Sequence, residues 1–203
     1  MTQVKAQPGR PRGFDAEAVL ERAMRVFWEQ GYEGASLSDL TAAMGITRTS
    51  MYAAFGNKEE LFLKALQRYT DGPASYAVRA LNELTAREVA AAFLAGAVEA
   101  TTHPGDPSGC LGVQAGLAVG PASRRTQERL AAWRNDAAAL LAERFRRALN
   151  EGDLPHGADP GLLGRYLVTV GNGIAVQAAS GVERETLEYV ADLALQSWPG
   201  STR

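Results

Sequence analysis

Only one cysteine, Cys110, occurs in the 203 residues, so no intrachain disulfide can form and a disulfide-stapled scaffold is excluded. Histidine is nearly as scarce. His103 and His156 stand alone in loop-like sequence, neither with a second ligand at metal-binding spacing, so no metal site and no cofactor are expected. No apolar run approaches the ~20 residues that cross a bilayer. Lys5, Arg10 and Arg12 near the start have no apolar stretch behind them, so no signal peptide and a cytoplasmic location are expected. Catalytic signatures are missing too. Gly171 and Gly173 form no dinucleotide fingerprint, because Val176 occupies the third glycine position and no strand precedes them. No nucleophile elbow or phosphate-cradling loop occurs. Charge of one sign is also lacking, since 21 basic and 23 acidic residues leave a net −2. Bulk charge therefore announces no nucleic-acid partner, and affinity for phosphates would have to come from local placement.

What is present is an ordinary globular composition, 46% apolar and 22% charged, of a size for one large or two small domains. Its most informative stretch is SLSDLTAAMGITRTSMYAAFGNK, from Ser36 to Lys58. Ser36 and Asp39 make a capping pair, and Leu37, Leu40 and Met44 share one side of a two-turn helix that stops at Gly45. Thr47 caps the next helix, in which Met51 and Phe55 face inward and leave Arg48, Thr49, Ser50, Tyr52 and Ala53 outward. Such a face suits base edges and phosphates. Asn57 and Glu60 cap a further helix with Lys58 in its first turn. A lysine opposes the helix dipole there, so pure stability would prefer an acid, whereas a phosphate would be held by both ammonium and backbone N–H groups. A plain helical hairpin in a bundle is the competing reading of the motif alone.

The flanking sequence favours the DNA-reading alternative. Asp15 caps a helix whose Ala16, Val19, Leu20, Ala23, Met24, Phe27 and Trp28 follow the 3.6-residue period before Gly31 ends it. Taken together, FDAEAVLERAMRVFWEQGYEGASL, SDLTAAMGITRTSMYAAFGNKEELF and the helix running on to Tyr69 resemble the N-terminal DNA-binding domain of the TetR/AcrR family of transcriptional repressors. The resemblance covers about the first third of the chain. It implies an all-α homodimer of bacterial origin, whose helix Thr47 to Phe55 enters the major groove while Tyr52 and Lys58 contact the DNA backbone. One departure is Ala53 and Ala54, where many members carry aromatic or His residues; Ala53 could still meet a thymine methyl. Arg10 and Arg12 form a basic arm that either lies in a minor groove beside the recognition helix or is a solvated tail. The expected organisation is a DNA-binding domain at 1–60 and a helical effector-binding and dimerisation domain at 61–203.

Beyond Tyr69, capping and breaker signals predict helices over about 73–82, 86–102, 110–119, 123–150, 160–179 and 183–198, with loops at 103–109 and 153–158. LVTV at 167–170 has strand-like composition but sits inside a helical pattern. The helix over 123–150 carries Leu130, Trp133, Ala137 and Leu141 in one apolar stripe. That over 161–179 is apolar nearly all round, with Leu163, Leu167, Val170, Gly171 and Ile174 prominent. These two helices are assigned to a two-fold four-helix dimer interface, as the family resemblance also implies, with burial in the monomer core as the alternative.

The middle helices are expected to enclose a pocket for a small, mainly apolar or aromatic effector, with Tyr69, Tyr76, Phe93, Cys110, Gln114, Leu117, Trp133, Tyr166 and Asn172 as candidates. Cys110, in SGCLG at a helix start, reads either as a structural thiol or as a reactive sensor. A Gly-Cys-Leu motif here is similar to that of a family branch with members that sense electrophiles or oxidants. The expected function is a dimeric repressor released from a palindromic operator by its ligand. A redox- or electrophile-sensing repressor, an architectural DNA binder and a small all-helical enzyme are the alternatives.

Overall fold

A computed structural model describes residues 14–117 and 123–200. Arg10 and Arg12 therefore lie outside the described residues. Among those described, every regular element is helical.

Helix α1 (Ala16–Gly34) opens where Asp15 accepts the Glu17 N–H at 2.9 Å. It buries Val19, Ala23, Met24, Phe27 and Trp28 on one face. Gly31 breaks the helical geometry with φ 71, a backbone conformation that glycine adopts freely, and one further turn carries Tyr32 into the core before the helix ends at Gly34. The break expected at Gly31 is thus a kink rather than a terminus. Helices α2 (Leu37–Met44) and α3 (Arg48–Phe55) follow, separated by Gly45 in the left-handed conformation at φ 67. Helix α4 (Lys58–Asp71) then packs along α1, with Phe62 edge-to-face on Phe27 at 5.1 Å and Tyr69 edge-to-face on Trp28 at 4.8 Å.

The chain continues through a 3₁₀ turn at Pro73–Ser75 into the short α5 (Tyr76–Ala80). The single helix expected over 73–82 is divided because the Ser75 N–H bonds to the Gly72 carbonyl three residues back, at 3.0 Å. Helix α6 (Ala86–Thr102) starts at the predicted Thr85–Glu88 capping box. Helices α7 (Leu111–Leu117), α8 (Arg124–Asn150), α9 (Pro160–Ala179) and α10 (Arg184–Gln196) complete the fold, and LVTV lies within α9.

Helices α8 and α9 pack tightly against each other inside the chain. A Cβ on Gly164 would lie 2.7 Å from the Ala138 carbonyl oxygen, so only a glycine permits this approach. The packing corrects the interface assignment. Leu130, Leu141, Leu167, Gly171 and Ile174 are buried within the single chain, and Ala137, Leu163 and Val170 are half-buried against the same core. The buried members of the stripe face helices of their own chain and leave no surface for a second copy. The large apolar residues left exposed include Val78, Leu84 and, on α8, Leu140, but they concentrate on α9 (Leu162 at 68%, Tyr166 and Val176) and α10 (Tyr189 at 64%, Val190 and Leu193).

Candidate nucleic-acid interface and effector cavity

The α2–α3 pair forms with the caps that the sequence predicts. The Ser36 hydroxyl accepts the Asp39 N–H at 3.1 Å and donates to the Asp39 carboxylate at 2.6 Å. Thr47 accepts the Ser50 N–H at 3.2 Å and donates to the Ser50 hydroxyl at 3.0 Å, which holds Ser50 half-buried at the helix start. Met51 and Phe55 are buried, while Arg48, Thr49, Tyr52 and Ala53 are exposed. Tyr52 is a large ring left 47% in solvent, where no packing within the chain calls for it.

Two cations that sequence reasoning passed over fix this surface from behind. Lys64 of α4 donates to the Phe55 carbonyl at 2.8 Å, closing the end of α3, and Arg22 of α1 donates to the Met44 carbonyl at 3.0 Å, closing α2. The unsatisfied carbonyls at each helix end are the general signal for such clamps, but sequence alone does not say which cation reaches them. Lys58 sits at the start of α4 with its ammonium 4.7 Å from the centre of the Tyr32 ring, a cation–π contact. Partial burial lowers its pKa from the usual lysine value, and the nearby Glu33 carboxylate opposes that shift. In the Asn57–Glu60 capping box, Asn57 accepts the Glu60 N–H at 2.9 Å and the Glu60 carboxylate accepts the Asn57 N–H at 2.9 Å. The N–H groups of Lys58 and Glu59, in the first turn, have no acceptor within the helix.

Behind α4 lies a cavity of about 300 Å³ between α4, α5, α6, α8 and α9. Of the residues singled out for an effector pocket, Tyr76, Phe93, Cys110, Trp133 and Asn172 line it. Tyr69 does not, because its ring is buried against Trp28. Its hydroxyl is hydrogen-bonded to the Cys110 sulfur, and burial raises its pKa well above the usual phenol value. Gln114 is half-buried on α7 away from the wall, and Tyr166 lies on the opposite side of α9, its hydroxyl 3.3 Å from the Ala194 carbonyl. The side chain of Leu117 lies outside the described residues. Lining residues that the sequence did not point to include Leu66 and Thr70 of α4, Arg129, Arg134 and Asp136 of α8, and Gly171 of α9, which had been assigned to the interface.

Cys110 is buried at the start of α7, and that burial pushes its thiol pKa up, outweighing the opposing effect of the Tyr69 hydrogen bond. Tyr76 is likewise pushed well above the usual phenol range by burial. The loop before Cys110 is strapped to α1: the Trp28 indole donates to the Gly109 carbonyl at 3.1 Å, and Arg25 pairs with Asp106 at 2.6 Å. Among the described residues no group of three His, Cys, Asp or Glu could hold a metal ion, and no helix is long and apolar enough to cross a membrane.

Comparisons with known proteins agree with this arrangement. Residues 19–65, which span most of α1 to α4, match the family described as bacterial regulatory proteins, tetR family. The transcriptional repressor ComR of Escherichia coli K12 is 32% identical over 202 residues, covering 97% of this chain and 94% of that protein. The transcriptional repressor AcnR of Corynebacterium diphtheriae is 32% identical over 186 residues, covering 89% of this chain and 90% of that one. Among solved structures, a cysteine mutant of the TetR family regulator CifR, complexed with 26-bp double-strand operator DNA, superposes with a TM-score of 0.89. It is 43% identical and covers 94% of this chain and 100% of its own. These relatives are regulators of transcription, not enzymes, and similarity along nearly the whole length shows that the chain belongs to the TetR family of transcriptional regulators.

Proposed function

We propose that the protein is a homodimeric repressor that holds a palindromic operator through α3 and lets it go when a small ligand fills the cavity. The observation that carries this reading is the double duty of α4. Its first turn, with Lys58, adjoins the recognition surface, and its second half, with Leu63, Leu66 and Thr70, lines the cavity. A ligand pushing on those residues moves a single rigid helix that also carries Lys64, the clamp on the end of α3. The dimer follows from α9 and α10, whose exposed Leu162, Tyr166, Val176, Tyr189, Val190 and Leu193 form an apolar face on two neighbouring helices. Two-fold pairing through that face would set two copies of α3 in successive major grooves, about 34–36 Å apart. Arg48, Thr49 and Ala53 then read base edges, while Ser36, Thr47, Ser50, Tyr52, Lys58 and the arm residues Arg10 and Arg12 hold phosphates or the adjoining minor groove.

Selection of bound duplexes from a random DNA pool by the purified protein tests the reading. A palindrome is the expected product; a featureless pool both with and without candidate ligands would sink it. A second reading makes Cys110 itself the sensor, favoured by its place on the cavity wall beside the Tyr69 hydroxyl. Challenging the operator complex with a small electrophile decides it: release by the native protein and persistence with Cys110→Ser would establish the thiol's role, and equal behaviour of the two would remove it.

A further inference from the structure

We propose that the effector is a compact aromatic carboxylate, one or two fused rings carrying a single anionic oxygen group. This rests on the reading of the cavity as the effector site.

The shape of the cavity comes from three aromatic rings, each seated against a glycine. A Cβ on Gly96 would lie 2.6 Å from the Tyr76 side chain, one on Gly112 only 2.3 Å from the Trp133 indole, and one on Gly171 3.2 Å from the Phe93 ring. With hydrogen in place of those carbons, Tyr76 lies against the backbone of α6, Trp133 against α7 and Phe93 against α9, and the space between the rings stays open. Tyr76 and Phe93 meet edge-to-face at 5.6 Å, which leaves ring faces and edges to receive a further planar group in the same offset or edge-on manner. The Trp133 indole is pinned by its own hydrogen bond to the Thr70 hydroxyl, at 2.9 Å, so this wall is rigid. A volume of about 300 Å³ sits at the small end of ligand pockets, which restricts the guest to one or two rings.

Charge then selects among arenes. The lining carries two guanidinium groups, Arg129 and Arg134, and a single carboxylate, Asp136, a surplus of one positive charge. Arg134 is oriented by donating through one nitrogen to the Gly112 carbonyl at 2.9 Å, and its remaining donors stay available. Among the described residues no ion pair engages either arginine. The Asn172 amide, on the α9 wall, makes no side-chain hydrogen bond there either. A carboxylate answers all of these groups at once, by the fork geometry that suits guanidinium and by accepting from the amide. A neutral arene leaves them unanswered, and a cationic one meets the positive surplus.

Isothermal titration of the DNA-free protein with 2-naphthoate, 2-naphthamide, 2-naphthylmethylammonium and octanoate tests the assignment. Naphthoate is expected to bind at least about tenfold more tightly than each of the other three, the scale of a charge-assisted pair gained or lost. The double variant Arg129→Gln, Arg134→Gln should abolish the preference for carboxylate over amide, and Asp136→Asn should strengthen naphthoate. Gly96→Ala should weaken all the arenes by pushing Tyr76 into the cavity. Equal or tighter binding of the amide, the ammonium or octanoate overturns the proposal, as does the absence of heat with every arene. The two glutamine substitutions lie at the cavity rim and keep the test open should Gly96→Ala fail to fold. Operator binding, measured separately, reports on the repressor reading alone: naphthoate binding without operator release would leave the ligand class standing and remove the release mechanism.

Discussion

At the recognition surface, Lys58 and Arg48 are both cations but stand in different surroundings. Lys58 rises from the first turn of α4, held over the Tyr32 ring and flanked by backbone N–H groups, a setting that would suit the phosphate contact proposed for it. Arg48 is exposed at the first position of α3, where a long fork can reach a base edge. Lys58→Ala should therefore weaken binding to all duplexes alike and lower the salt dependence by about one unit of slope. Arg48→Ala should cost about 1–3 kcal/mol on the operator while narrowing its lead over unrelated DNA. Titrations at several salt concentrations against operator and scrambled duplexes measure both, and equal losses with unchanged specificity would refute the division. The outward face of α3 was legible because a cap and two buried positions set the phase of a short helix. Tyr32 was not, since its ring meets Lys58 only through the kink at Gly31 and packing across 26 positions of chain.

Helices as units were read well wherever a cap chemistry marks the start. Asp15, Ser36, Thr47, Asn57, Thr85 and Asp159 all accept the N–H groups expected of them. What the apolar pattern could not supply was the partner of each stripe. The faces of α8 and α9 carrying Leu141 and Leu167 look alike whether they meet across a dimer axis or within one chain. The deciding residue is Gly164, whose missing side chain lets α9 approach the Ala138 carbonyl, and a glycine inside a helix reads in sequence only as a weak breaker. Gly164→Ala places a methyl 2.7 Å from that oxygen and 3.0 Å from the Ala142 nitrogen, backbone atoms that cannot rotate away. The expected cost is about 1–3 kcal/mol, the usual range for overpacking, and thermal unfolding reads it as a lowered midpoint. An unchanged midpoint would mean that α8 and α9 can slide apart freely. The same blindness hid how the cavity is shaped: Gly96 and Gly112 seat its aromatic walls by what they lack, whereas the aromatic residues themselves were visible at once.

For the whole molecule, the proposed dimer rests on the exposed face of α9 and α10. Leu162→Glu combined with Leu193→Glu sets buried charge within any two-fold pairing through it, while both side chains already face solvent in the single chain. Sedimentation should show a monomer of unchanged helical content, with operator affinity falling because only one copy of α3 then engages. A variant that remains dimeric would place the interface elsewhere. This face was not legible in the sequence, because an apolar pattern does not say which of its residues stay in solvent.

The core that supports α2 and α3 does not stop at α4. It takes in Cys110, Leu111, Val113, Ala115, Leu130 and Ala175, and the Trp28 indole is tied to the Gly109 carbonyl. The first 60 residues of this chain are consequently not an interchangeable part: a chimaera joined there would set Trp28 against a foreign α7 and lose its fit. Arg48, Thr49, Tyr52 and Ala53, by contrast, face solvent and can vary without disturbing the packing behind them.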